Sequence, residues 1–433
     1  MTDDAARVTV GRKDGPPRSA ARLALDRQFG ALFWGNLLSG TGIWFHSIVA
    51  AVVVYAATAS ALWVGLVTVA QFVPQIFLTP LSGGWADRGN AGRQIVAGRA
   101  VAALGSAGAA AFCLVRGPLE SHTDALVVLA ATLVAGLGFV VGGPALQSIV
   151  PLVIRRGELP TATAMNSLPW TLARVAGPAG GAFVAAHHSP ALAFGLAAGA
   201  HLVFVVLALL AALPAGAQRE DGTDFRVRVA LHYVRRDPTM LVLLVVVAGI
   251  GFASEPSITL APTIAADLGG DTALVGRLTG AFGAGAVLGF FGYNVVSLWL
   301  RQQRVLQVGL GVMVLGWVVL AGAAHVGLAL GAFTVAGLGF MVANTAAVTL
   351  IQQRVPDELR GRVMALWMVG FAGSRPLASA VEGFLADAVS LPAALLVTAG
   401  VLLTVLCLFR PRRLDFPAAR AGTVPEREVS RDG

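Results

Sequence analysis

The interval Ala215-Gly-Ala-Gln-Arg-Glu-Asp-Gly-Thr-Asp-Phe-Arg-Val-Arg-Val-Ala-Leu-His-Tyr-Val-Arg-Arg-Asp237 is the longest polar stretch inside this chain. It carries Arg219, Glu220, Asp221, Arg226, Arg228, Arg235 and Arg236 between long apolar runs. Six such runs precede it, near 31–57, 62–82, 95–115, 124–150, 162–186 and 190–214. Six follow, near 240–264, 272–298, 304–325, 327–351, 363–386 and 390–409. About 20 apolar residues in a helix cross the hydrocarbon core of a bilayer. The pattern predicts an all-α membrane protein: 12 transmembrane helices in two six-helix bundles, 31–214 and 240–409. A cytoplasmic linker, 215–239, joins them, with a surface helix expected around Phe225–Tyr233.

Composition agrees with that reading. Hydrophobic residues make up 56% of the 433 positions, charged residues 12%, and mean hydropathy is +0.76. A soluble protein carries about 25% charged residues. So few charges cannot cover a water-facing surface, and lipid is the solvent for most of the chain. Cys113 and Cys407 sit inside apolar runs and fit no metal spacing. The polar segment 1–30 lacks the short apolar stretch of a signal peptide. It reads as a disordered cytoplasmic tail, and 410–433 as its counterpart.

Charge alternation tests the span count independently. With both termini in the cytoplasm, all of the 31 Lys and Arg fall on that side except Arg116, Arg174, Arg277 and Arg375. Basic residues are retained on the cytoplasmic side during insertion, and a wrong count would scramble the bias. The expected location is the plasma (inner) membrane, multi-pass. The net charge of +8 then reflects topology and attraction to anionic lipid, with no nucleic-acid partner.

The halves echo one another. Gln147-Ser-Ile-Val-Pro151 recurs as Gln352-Gln-Arg-Val-Pro356, Glu158-Leu159 as Glu358-Leu359, and Arg174 as Arg375, at shifts of 205, 200 and 201. Duplicated halves are typical of secondary transporters, which bind substrate near the membrane midplane between the repeats.

Between the second and third runs lies Gly83-Gly-Trp-Ala-Asp87-Arg88-Gly-Asn-Ala-Gly-Arg93. It resembles the signature loop of the major facilitator superfamily, with the final basic residue displaced. Gly83 is expected to allow close helix packing. Asp87 is expected at the N-terminus of the helix beginning near Arg362, where a carboxylate is favoured. The resemblance implies that this contact, with Arg88 and Arg93 nearby, latches the inward gate. Arg174-Val-Ala-Gly177-Pro178-Ala-Gly-Gly181 is similar to the antiporter motif of drug exporters, with Ala173 where glycine is usual. Pro356-Asp-Glu-Leu-Arg360-Gly-Arg362 and Gly373-Ser-Arg375-Pro376 resemble the enterobactin-exporter-like and macrolide-efflux-like branch (drug:proton antiporter-3).

Charges at membrane depth are costly and point to function by default. Arg174, Arg375, Glu255 and Glu382 fall within expected spans, and Arg375 and Glu382 are too far apart along their helix to pair. In one reading Glu255 carries a proton while the arginines attract anionic or zwitterionic substrate groups. In the other, all of them stabilise helix contacts. Asn36, His46 and Asn344 line a cavity or bond a neighbouring helix. His201 reads as structural, and the aromatics, Trp44 among them, mix interface anchoring with stacking walls.

A phosphate-binding loop needs a lysine in a glycine-rich turn, and Lys13 in the tail is the only lysine. No spacing suggests a metal or an enzyme, and no cofactor is expected. The reading is a monomeric, proton-coupled exporter of a small amphipathic molecule of drug, macrolide or siderophore type. The alternatives are an importer, a lipid or lysolipid flippase, or a non-transporting sensor.

Overall fold

A computed structural model describes residues 16–155, 157–214 and 227–409. These form sixteen helices: α1 (Ala20–Ala24), α2 (Phe29–Thr58), α3 (Ala61–Arg88), α4 (Ala91–Arg116), α5 (His122–Val153), α6 (Leu159–His187), α7 (Pro190–Leu210), α8 (Val227–Arg236), α9 (Pro238–Ala253), α10 (Pro256–Thr259), α11 (Ala261–Asp267), α12 (Thr272–Trp299), α13 (Gln302–Ala321), α14 (Val326–Arg354), α15 (Asp357–Ala388) and α16 (Leu391–Leu408). Polar caps start many of them. Ser60, Asn90, Ser121, Ser189, Asp271 and Ser390 each accept a backbone N–H of the first turn, meeting a donor that no helical carbonyl can reach.

Among the described residues, ten helical stretches are long and apolar enough to cross a membrane, by length and composition. α6 and α15 have 29 and 32 residues but are not among them. These are the helices that carry Arg174 and Arg375. With α9–α11 taken as one broken span, the arrangement is consistent with the twelve expected.

Helices α2–α7 form one bundle and α9–α16 the other. The bundles meet where α3 packs along α15 and α6 along α12. Helices alternate in direction, so α1 and α8 mark one face of the molecule, the terminal side, and the opposite face is the far side. The seam is tight toward the far side. A Cβ on Gly383 would lie 2.5 Å from the Ala61 carbonyl oxygen, and one on Gly283 2.6 Å from that of Val175. Only glycine permits backbones this close. Near the terminal side, nothing lies within 4 Å of a Cβ placed on Gly83 or Gly84. Among the described residues, no close helix contact is seen at Gly83; the close glycine contacts lie toward the other end of α3.

Three further expectations change. The signature segment Gly83–Arg88 is the last turn of α3, not a loop, and the link to α4 is only Gly89–Asn90. The surface helix expected in the linker around Phe225–Tyr233 is seen over Val227–Arg236; residues 215–226 are outside the described residues. Glu255 does not sit within a continuous helix. Ser254–Glu255 interrupts the span before Pro256, which has no N–H to continue the ladder. Backbone bonds there reach back three residues, and Trp317 Nε1 donates to the Ala253 carbonyl at 2.9 Å.

The third change concerns the N-terminal tail, of which residues 1–15 are outside the described residues. Residues 16–28 are built into the bundle instead of being a disordered tail. Leu23 is fully buried against Ile149, Val150 and Ile154. Arg18 grips Glu158 through Nε at 2.9 Å and Nη2 at 2.8 Å, and Asp26 through Nη1 at 2.5 Å. The second bundle has a matching clamp of reversed polarity: Arg354 at the end of α14 binds Asp237 ahead of α9, at 2.5 and 3.1 Å.

Candidate substrate and proton site

Glu255 is fully buried in the break of the seventh span, on the seam. Its Oε1 accepts from Nε of Arg375 on α15, which is 1% exposed. Its Oε2 accepts from the Thr68 hydroxyl of the first bundle at 3.3 Å and, weakly, from Thr259 at 3.5 Å. A carboxylate of one half is thus bonded within its half and touched from the other. Burial makes this arrangement consequential: removing one partner of a buried pair strands a charge, at a cost of about 3–5 kcal/mol.

Trp44 of α2 links the two repeat-related arginines. The Arg375 guanidinium carbon lies 4.9 Å from the Trp44 ring centre and 4.2 Å from that of Phe72. That of Arg174, on α6, lies 5.1 Å from Trp44, 4.8 Å from Phe340 and 5.6 Å from Phe371. Ring faces attract cations, most strongly where water is excluded. Local sequence explains the placement. A Cβ on Gly177 would stand 2.5 Å from Trp44 Cβ, and one on Gly181 3.0 Å from Phe45 Cα. The antiporter-like motif therefore seats α6 directly on α2 and sets Trp44 between the arginines. Pro178 stays within a continuous α6 and lines a small cavity with Arg174, Ser257, Ile258, Thr279 and Phe282.

The two arginines differ in their bonding. Arg375 is paired with Glu255. Nη1 and Nη2 of Arg174 are buried and, among the described residues, make no hydrogen bond.

The other expected residues scatter. Glu382 is buried between α15 and α16; Oε1 accepts from Thr398 at 2.8 Å and Oε2 is unbonded. It does not bond Arg375. His46 is buried in the first bundle with both ring nitrogens engaged, by Ser106 and Thr132 at 3.0 Å each, an arrangement that joins α2, α4 and α5. His201 is held by Ser39 at 2.8 Å. Asn344 has a buried, unbonded Oδ1, and Asn36 is half-buried without a side-chain partner among the described residues. Arg93 is exposed at the start of α4, and the side chains of Asp87 and Arg88 lie outside the described residues.

Some residues escaped the sequence reading. Thr68 carries no pattern that distinguishes it. Arg99 lies in the first turns of the third run and counts toward the cytoplasmic basic bias, yet it is 2% exposed between the rings of Phe139 and Phe204. Asp387, at the far end of α15, caps α3 of the other bundle. It accepts from Ser60 Oγ at 2.5 Å, Ala61 N at 2.8 Å and Leu62 N at 3.0 Å. A carboxylate at a helix end facing another helix N-terminus was the available signal, the same one read at Asp87.

Two six-helix bundles with a charged cluster buried at their seam define a secondary transporter of the major facilitator type. The chain matches the family model described as transmembrane secretion effector over residues 21–429, and it belongs to that family. No curated protein matches its sequence. Solved structures share the fold. A bacterial homologue of the human lysosomal transporter Spinster, inward-facing and unoccupied, superposes with a TM-score of 0.72 at 15% identity, covering 93% of this chain and 100% of the other. An inward-facing bacterial homologue of the iron transporter ferroportin gives 0.68 at 16% identity, covering 90% and 98%. The nucleoside transporter NupG (D323A mutant) gives 0.67 at 12%, covering 89% and 99%.

Proposed function

We propose that this transporter is a proton-coupled exporter of a small amphipathic molecule, working by alternating access in the plasma (inner) membrane with both termini cytoplasmic. One observation carries the reading: Glu255 is buried on the seam, bonded to Arg375 and reached by Thr68 of the opposite bundle. Ionised, Glu255 holds Arg375 against Trp44 and Phe72 and ties the bundles together. Protonated, it loses the pair and loosens the seam. Proton exchange at one residue thereby biases which side opens, as a coupled carrier requires. The far-side closure then corresponds to an inward-facing state. Asp87 at the terminal end of α3 is the counterpart of Asp387 at the far end of α15, and the two would cap in alternation.

A second reading, an importer, draws support from Arg174. Protonating Glu255 would leave Arg375 as a second free guanidinium. A proton and an anion would then bind together rather than in exchange.

Substrate-dependent proton flux in proteoliposomes, with a panel of antibiotics, siderophores and lysolipids, separates these. The exporter reading expects proton flux opposite to substrate flux, abolished in Glu255→Gln. Flux in the same direction supports the importer. Proton-driven transport that survives Glu255→Gln removes the carrier role.

A further inference from the structure

Arg174 and Arg375 occupy related positions in the two repeats, but their charges are not equally spent. Arg375 faces Glu255. Arg174 lies against the faces of Trp44, Phe340 and Phe371, and among the described residues both its buried terminal nitrogens lack a hydrogen-bond partner. Unpaired donors at membrane depth are expensive, and in native structures they call for an explanation.

We infer that Arg174 is the subsite for an anionic oxygen group on the substrate (carboxylate, sulfonate or phosphate) borne on an apolar body. This rests on the transporter reading above but not on its direction. Three observations meet here. The first is charge: two guanidinium groups stand against the single carboxylate of Glu255, so one negative charge brings the cluster to neutrality. Glu382 bonds neither guanidinium: its Oε1 accepts from Thr398 and its Oε2 is unbonded.

The second is donor geometry. Nη1 and Nη2 form the end of a planar fork that matches two oxygens of an oxyanion. They are the donors available in the adjoining cavity, because Ser257 and Thr279 donate to backbone carbonyls at 2.7 and 3.0 Å. The third is the wall. Phe282 and Ile258 line the cavity, and Trp44, Phe340 and Phe371 flank the guanidinium. An aromatic or acyl body would lie against these surfaces while its charge meets Arg174.

The test uses the full chain in nanodiscs of zwitterionic lipid, with 2-naphthoate and 2-naphthamide, which share a ring system and differ in charge. A buried charge-assisted hydrogen bond corresponds to about tenfold in affinity. Wild type should therefore prefer the carboxylate by about that factor. Arg174→Gln should bring the ratio near one, and Arg174→Lys should keep part of it. Glu255→Gln frees Arg375 and should raise the ratio of naphthoate to naphthamide affinity. If Arg174→Gln does not fold, the wild-type ratio and the Glu255→Gln shift decide. Equal affinity for the two probes, no saturable naphthoate binding by wild type, or an undiminished preference in a folded Arg174→Gln would overturn the assignment. Proton-driven flux that persists in Glu255→Gln would instead remove the proton-carrier role and leave the subsite standing.

Discussion

Ser60 donates a 2.5 Å hydrogen bond to Asp387 Oδ2, joining the N-cap of α3 in one bundle to the last turn of α15 in the other. The same carboxylate accepts the first two backbone N–H groups of α3. It therefore acts as a helix cap that belongs to the opposite half of the molecule. Removing a capping side chain costs about 0.5–2 kcal/mol. Asp387→Ala should shift the population toward a far-side-open state by about two- to thirtyfold. Distances between spin labels at the far ends of α2 and α15 would lengthen; an unchanged distribution would mean that the glycine contacts alone hold the seam.

Glu255 and Arg375 make a second test, one that separates stability from transport. Either Glu255→Gln or Arg375→Gln alone leaves a buried charge without its partner and should lower stability by about 3–5 kcal/mol. Replacing both, as Glu255→Gln with Arg375→Met, should recover most of that loss in thermal unfolding. Coupled transport should not recover. Restored proton-driven flux in the double variant would show the pair to be a packing device.

Trp44 is fully buried and serves both guanidinium groups. Trp44→Ala opens a cavity beside two cations and should cost about 3–5 kcal/mol. Trp44→Phe keeps a ring face and should be far milder. The comparison is made by melting in detergent; equal losses for the two variants would show that the ring faces contribute nothing beyond volume.

At the terminal side, the Arg18 hydrogen bonds, aided by the Arg155 and Arg18 backbone N–H groups, hold the Glu158 carboxyl at about 2, well below its ordinary 4.5. A depressed carboxyl stabilises the fold above its unfolded value, and that contribution is lost as pH falls toward the folded value. The strap should be intact above pH 4.5 and released between there and about 2. Hydrogen exchange at residues 19–30 should rise across that window in wild type. In Arg18→Ala it should already be high at neutral pH.

Much of the architecture was legible because lipid imposes simple rules. Span length and composition made the all-helical, many-span membrane fold readable. Hydropathy alone did not place the break at Ser254–Glu255, although Pro256 and the polar Ser254, Glu255, Ser257 and Thr259 mark that run as the least regular of the spans. Nor could it foresee that residues 16–28 fold: their burial rests on Leu23 and on a partner 140 positions away, Glu158. Arg99 misled because a basic residue near a span end satisfies the topology rule whether it faces water or packs between rings. The unequal fates of Arg174 and Arg375 are invisible in a repeat that makes them equivalent.

The two terminal clamps, of opposite polarity, also bear on how a duplicated chain assembles. The first bundle offers the acid Glu158 to the basic Arg18; the second offers the basic Arg354 to the acid Asp237. A strap that docked on the wrong repeat would set arginine against arginine, or carboxylate against carboxylate. Like charges brought together there repel, so each leading segment is steered to its own half. Reversing one polarity gives two related halves emerging in succession a means of telling themselves apart.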